Sequence, residues 1–188
     1  MSDKSINTTK THNKPTRLLV RIALSAVIIT VCSWLTIPFT IPFTMQTFAI
    51  FFVLILLGGK WGTVAISVYV LLGVVGVPVF SGFKGGVGAI LGATGGYIFG
   101  FILSGAIYWA LPFKEKNAVN RFIACFIALL ACYICGTLWF AFVYMKEFTF
   151  EAILTALTVC VLPYIAVDII KIILAQLLGA RLKPLIVA

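Results

Sequence analysis

The chain has 188 residues, 62% of them apolar and 10% charged, with a mean hydropathy of +1.17. Soluble domains carry about 25% charged residues, so this composition excludes a soluble globular domain and defines an integral membrane protein. The net charge of +9 reads as a topology signal and a contact with anionic lipid, and it gives no support for nucleic-acid binding.

Residues 1–16 are polar, rich in Ser, Thr, Asn and Lys, and too poor in apolar side chains to fold alone. They are expected to form a flexible cytoplasmic tail. The run from Leu18 to Leu35 is long for the apolar region of a signal peptide, and no small-x-small cleavage site follows it, so it is taken as the first membrane helix. Ala23, Ala26, Thr30 and Ser33 give that helix a small-residue face, which either packs internally or receives another protein.

A tandem repeat follows, Ile37-Pro38-Phe39-Thr40 and then Ile41-Pro42-Phe43-Thr44, whose prolines deny the backbone a continuous helix. The second apolar run, Gln46 to Leu57, ends at Gly58 and Gly59. Its dozen or so residues reach about 18 Å, against a hydrocarbon core of about 30 Å. It cannot span unaided. Non-helical backbone at membrane depth is tolerated only where it is buried in protein or lines a cavity, so the first outer loop is expected to fold inward over the bundle.

After the third run, Trp61 to Val77, comes a segment too apolar for an ordinary exposed loop and too glycine-rich for a helix, Gly76 to Gly88. Its glycines permit close backbone approach, so N–H groups there can face a ligand, with Lys84 as the only charge. It reads as a pocket lid or as plain turn punctuation; Val79, Phe80 and Phe83, which need cover, favour the lid. Neither a Walker pattern nor GxGxxG occurs in the chain. The fourth run, Ile90 to Leu111, places a small residue at every fourth position, Gly92, Gly96, Gly100 and Ser104, as close helix packing requires, with Tyr97 on another face. The fifth run, Val119 to Tyr144, holds three of the five cysteines. Cys132 and Cys135 form a lone CxxC, and the single histidine, His12, lies in the tail, so the cysteines read as small apolar packing.

The last run, Pro163 to Leu182, carries Asp168 and Lys171. Each ionised side chain near a helix centre costs about 2.5 to 3.5 kcal/mol, so such residues face the protein interior and mark a substrate or ion path. Positions three apart lie about 60° apart around a helix, so both point the same way. With Tyr164 a turn before and Ala175 a turn after, the stripe is the wall of a polar pocket, or else an internal ion pair that steadies the helix. If Phe150 to Cys160 is a separate outer element and Pro163 opens the helix, both charges lie in the outer half of the membrane.

The chain is therefore expected to be all-α, an integral membrane bundle of six transmembrane helices over residues 17–188 with inward-folded outer loops. With the N-terminus inside, eleven Lys and Arg residues fall on the cytoplasmic side and only Lys84 and Lys146 outside. Both termini are then cytoplasmic.

Met45-Gln46-Thr47-Phe48, the stretch from Tyr69 to Gly82, Gly92-Ala93-Thr94-Gly95-Gly96-Tyr97, and Pro163-Tyr164 with Asp168 and Lys171 together resemble the BioY family. These are the biotin-specific substrate-binding (S) components of bacterial energy-coupling factor (ECF) transporters. Two places depart from the family pattern: Ala93 stands at a position often proline, and Ala166-Val167 where Pro-Gly is frequent. The resemblance implies a multi-pass protein of the bacterial cell membrane with a biotin site near the outer surface. It also implies no enzymatic activity, no catalytic residue, no metal and no cofactor. Its partners would be a transmembrane coupling (T) component and a pair of ABC-type ATPases, with docking through Ala23, Ala26, Thr30 and Ser33.

In that frame Asp168 accepts from a ureido N–H, while Lys171 donates to the ureido carbonyl or meets the ligand carboxylate. Tyr97 stacks on the fused ring, and Gln46 and Thr94 supply neutral hydrogen bonds. Lys84, with loop N–H groups at Gly82 and Gly86, favours the carboxylate. The rival reading is a stand-alone proton-coupled carrier of a small carboxylate-bearing metabolite. A membrane enzyme lacks the necessary paired acids or helix-borne histidine.

Overall fold

The structure, a computed structural model, describes residues 13–38, 41–112, 117–144, 146 and 149–187. Most of the expected tail, residues 1–12, lies outside the described residues, as do Phe39 and Thr40 of the tandem repeat and four of the basic residues counted for topology, Lys4, Lys10, Lys114 and Lys116. The tail boundary moves: α1 (Asn13–Trp34) already includes residues 13–16.

After α1 come a two-stranded antiparallel hairpin, β1 (Thr36–Ile37) and β2 (Phe43–Thr44), and then α2 (Gln46–Val74). A short α3 (Val87–Ile90) precedes α4 (Gly95–Ala110). The chain continues with α5 (Ala118–Trp139), which ends in a wider π-helical turn over Phe140–Tyr144, and closes with α6 (Phe150–Cys160) and α7 (Leu162–Val187). Helix dominates, as the apolar runs predict.

α2 is two helical arms joined at Gly58, whose φ 78° and ψ 165° lie outside helical geometry. Only glycine takes that conformation without steric cost. The chain doubles back there. A Cβ placed on Gly62 would sit 2.9 Å from the Cα of Leu54, and Gln46 Nε2 donates to the Tyr69 hydroxyl at 2.8 Å. In a straight helix those two pairs would be about 12 and 35 Å apart. The expected short second helix and the third are thus two antiparallel arms, 46–57 and 59–74, and the short arm is buried along nearly its whole length. With α1, α4, α5 and α7 they make six membrane helices.

Similar logic holds at the last helix. Val161 leaves helical geometry at φ −122°, α6 and α7 meet at a 46° bend, and Pro163 occupies the first turn of α7, where its missing N–H costs no bond. Phe150–Cys160 is a helix separate from the last one.

The small-residue stripe on α4 faces α5. Gly96 lies under the Trp139 side chain, a Cβ on Gly100 would approach the Cys132 Sγ to 2.8 Å, and Ser104 donates to the Ala128 carbonyl at 2.7 Å. Gly92 lies just before the helix, and its carbonyl accepts from Trp139 Nε1 at 3.0 Å. This seam brings α4 and α5 close enough to wall one side of a cavity.

Replacing Gly96 by Val pushes a branched side chain into Trp139 and should cost about 1 to 3 kcal/mol by overpacking. Ser104→Ala should cost about 1 kcal/mol by loss of its interhelical bond. Thermal unfolding in detergent ranks the two, and a Gly96→Val protein as stable as wild type would contradict the packing described.

Candidate functional site

At the end of the bundle that carries the β1–β2 hairpin and the 76–86 loop lies a cavity of about 750 Å³. That size falls within the usual range of small-molecule sites. Its walls come from the start of α2 (Gln46, Thr47), from α4 (Tyr97, Phe101), from α5 (Leu129, Cys132, Tyr133) and from α7 (Tyr164, Asp168, Lys171). The hairpin and the 76–86 loop supply Ile41, Thr44, Phe80, Ser81, Phe83 and Lys84.

Asp168 and Lys171 meet there. Their side chains form a 2.8 Å ion pair through Oδ1, and each residue is 4% exposed. The other carboxylate oxygen, Oδ2, accepts from the Tyr133 hydroxyl at 2.6 Å. Lys171 Nζ also donates to the Thr44 carbonyl at 2.7 Å and sits 4.6 Å from the Phe43 ring centroid. Buried charges are tolerable only when paired and further hydrogen-bonded, and this pair has both kinds of support. An ammonium has three N–H donors and a carboxylate about four lone-pair sites. Two of each are used internally, so the site retains one donor beside acceptor capacity.

The β1–β2 hairpin closes over this pair by specific bonds. Besides the Lys171 contact, the Tyr164 hydroxyl donates to the Ile41 carbonyl, and Phe43 stacks on Tyr164 with centroids 5.2 Å apart. The second loop is tied to α1, β1 and α2. Trp34 Nε1 donates to the Pro78 carbonyl at 2.9 Å, Ser81 Oγ to Thr36 Oγ1 at 2.9 Å, and both Ser33 and Tyr69 donate to the Val79 carbonyl. Val79 and Phe80 are buried, whereas Phe83 stays exposed and rests against Trp34 with centroids 4.9 Å apart.

Of the residues expected from the sequence, Asp168, Lys171, Tyr97, Gln46, Thr94 and Lys84 all line the cavity. Gly82 and Gly86 do not. Gly86 N–H is already bonded to the Gly73 carbonyl at 2.7 Å, and Gly82 lies in the tight turn closed by the 2.9 Å bond from Phe80 N–H to the Lys84 carbonyl; Gly85 lines the wall instead. The small face of α1 also needs correction as a docking surface. Ala26, Thr30 and Ser33 are buried within this chain, with Thr30 Oγ1 donating to the Ala26 carbonyl at 2.9 Å, and only Ala23 is exposed. Small residues attract the nearest helix, and here that helix belongs to the same molecule.

Sequence reasoning missed Tyr133, Phe43 and the Thr44 carbonyl. Tyr133 is a hydroxyl-bearing side chain in the middle of an apolar span, which is a signal in itself. No spacing rule, however, links α5 to α7. Backbone carbonyls carry no sequence signal.

Fold and site together define a multi-pass membrane protein with a polar cavity at one end of its helix bundle. The chain belongs to the BioY family, whose model matches residues 3–187. It is 38% identical over 170 residues to the biotin transporter BioY of Thermotoga maritima, covering 90% of this chain and 97% of that one. It is 37% identical over 166 residues to the biotin transporter BioY2 of Lactococcus lactis subsp. cremoris, covering 87% and 88%. The fold matches the 2.1 Å crystal structure of the S-component for biotin from an ECF-type ABC transporter with a TM-score of 0.80 at 24% identity, covering 94% of this chain and 95% of that one.

Removing one member of the buried pair strands the other. Lys171→Met should lower unfolding free energy by about 3 to 5 kcal/mol, and the double change Asp168→Asn with Lys171→Met should recover a large part of it. Detergent unfolding of the three proteins measures this, and a single variant no less stable than the double would contradict the pairing.

Proposed function

We propose that this chain is the biotin-binding S component of an ECF-type ABC uptake transporter. The observation that carries the reading is the hydrogen-bond inventory of the Asp168–Lys171 pair on the wall of the cavity, joined to membership of the BioY family. Biotin's ureido edge presents an N–H beside a carbonyl. A carboxylate with free lone pairs beside an ammonium with one free N–H complements that edge.

The pair is neutral overall, so it offers little to the valerate carboxylate. Lys84 is exposed on the loop at the cavity wall and supplies the positive charge for that end. Biotin therefore enters ureido first, with its carboxylate toward Lys84. Tyr97 is buried against α5 and presents an aromatic surface to the fused ring, and Gln46 and Thr94 border it with neutral polar groups.

Arg17, Arg21, Lys60, Arg121, Arg181 and Lys183 belong to helix ends and turns opposite the cavity, whereas Lys84 lies at the cavity end. Under the positive-inside rule the cavity then faces outward and both termini face the cytoplasm, with the polar residues before α1 as a cytoplasmic tail. The chain's own residues bind and orient; no catalytic step is assigned to them. Inward delivery depends on a transmembrane coupling component and a pair of ABC-type ATPases.

Equilibrium titration of the purified protein should show tight biotin binding and none of riboflavin or thiamine. Asp168→Asn and Lys171→Met, in folded preparations, should each weaken biotin at least about a hundred-fold, as expected when a charged hydrogen-bond partner is removed from a desolvated site. Lys84→Ala should cost only a few-fold, since an exposed charge is screened. Wild-type affinity in both pair variants would refute the assignment. Proteoliposomes bearing the protein alone should bind biotin without accumulating it; uptake driven by a proton gradient would favour the stand-alone carrier.

A further inference from the structure

The wall of the cavity contributed by α5 holds a side chain whose position is explained neither by packing alone nor by direct contact with a ligand. Tyr133 is 6% exposed, lines the cavity and gives its hydroxyl proton to Asp168 Oδ2 at 2.6 Å. Its only phenolic hydrogen is thereby committed to the carboxylate and unavailable to a ligand. Oδ1 is taken by Lys171 at 2.8 Å. Lys171 sits on the same helix and leaves the carboxylate free to swing about that one bond. A second bond from α5 to the other oxygen removes the freedom.

We propose that Tyr133 is a positioning residue for ligand recognition: it fixes the plane of the Asp168 carboxylate so that the remaining lone pairs point at the N–H edge of the bound ring. This rests on the reading above that biotin's ureido group meets Asp168. The role is one of preorganisation. Ordering an acceptor before the ligand arrives lowers the cost of binding without adding a contact. The bond is charge-assisted and desolvated, so its loss is felt strongly at the acceptor that remains.

The chain lends itself to a direct test, because Asp3 and Asp168 are its only aspartates. In an Asp3→Asn background, carbon-13 aspartate places the label in Asp168 alone, and isotope-edited infrared spectroscopy reads the stretching band of that carboxylate. Tyr133→Phe should shift the band in the unliganded protein, lower its melting temperature as expected when a buried carboxylate loses a donor, and weaken biotin by roughly ten-fold in protein that remains folded.

An unmoved band, or biotin affinity equal to wild type, would overturn the proposal. So would a loss of affinity in Tyr133→Phe that adds in full to the loss in Asp168→Asn, since a residue acting through the carboxylate has no further effect once the carboxylate is gone. Should Tyr133→Phe fail to fold, 3-fluorotyrosine at position 133 keeps the hydroxyl but makes it a stronger donor. A shifted band and altered biotin affinity then support the role, and an unmoved band refutes it. If wild-type protein fails to bind biotin, the ligand assignment falls and this role falls with it, while the infrared shift separately reports whether the Tyr133–Asp168 bond exists.

Discussion

A carboxylate and an ammonium set within a hydrophobic bundle must find in the protein the solvation that water would otherwise provide. That requirement organises the cavity end of the molecule. Asp168 and Lys171 satisfy part of it between themselves at 2.8 Å. The remainder comes from Tyr133 on α5 and the Thr44 carbonyl at the edge of β2. Remove any of these and a desolvated polar group is left facing apolar surroundings. Thus the last helix, the fifth helix and the first hairpin are bound into one polar centre on the wall of the cavity.

The short arm of α2 shows how the fold makes room for that centre. An arm of 46–57 is too short to cross a bilayer alone, and the reversal at Gly58 lets it lie buried against its partner arm and α7 instead. Its upper end delivers Gln46 to the cavity, and Gln46 is anchored by Tyr69 of the returning arm. The non-helical backbone before it is protected from lipid because Ile41 and Thr44 hand their carbonyls to Tyr164 and Lys171. Irregular backbone at this depth is tolerable for the reason that holds across membrane proteins: its polar groups line a cavity or bond within the protein.

Two groups of small residues illustrate why similar patterns take different roles. On α4, Gly96, Gly100 and Ser104 let α5 approach, which brings Tyr97 and Tyr133 to the same cavity. On α1, Ala26, Thr30 and Ser33 are likewise covered from within, and Ser33 reaches across to the loop carbonyl of Val79. The lipid-facing surface of α1 is made instead of larger residues, among them Leu24, Val27 and Val31. A stripe of small side chains records that something packs closely; it does not record what.

Much was legible in the chain itself. Hydropathy and the break at Gly58 determine the six helices, proline determines the start of the last one, and the cost of burying charge singles out Asp168 and Lys171, because each of these is a local property of a few neighbouring residues. The tertiary structure alone decided that Tyr133 completes the carboxylate's partners, that Thr44 answers Lys171 through its backbone, and that Gly86 spends its N–H on Gly73 rather than on a ligand. Those pairings join elements far apart in sequence, through groups that every residue carries or that no spacing rule connects. A one-dimensional pattern records what a side chain requires; only packing determines which distant atom meets that requirement.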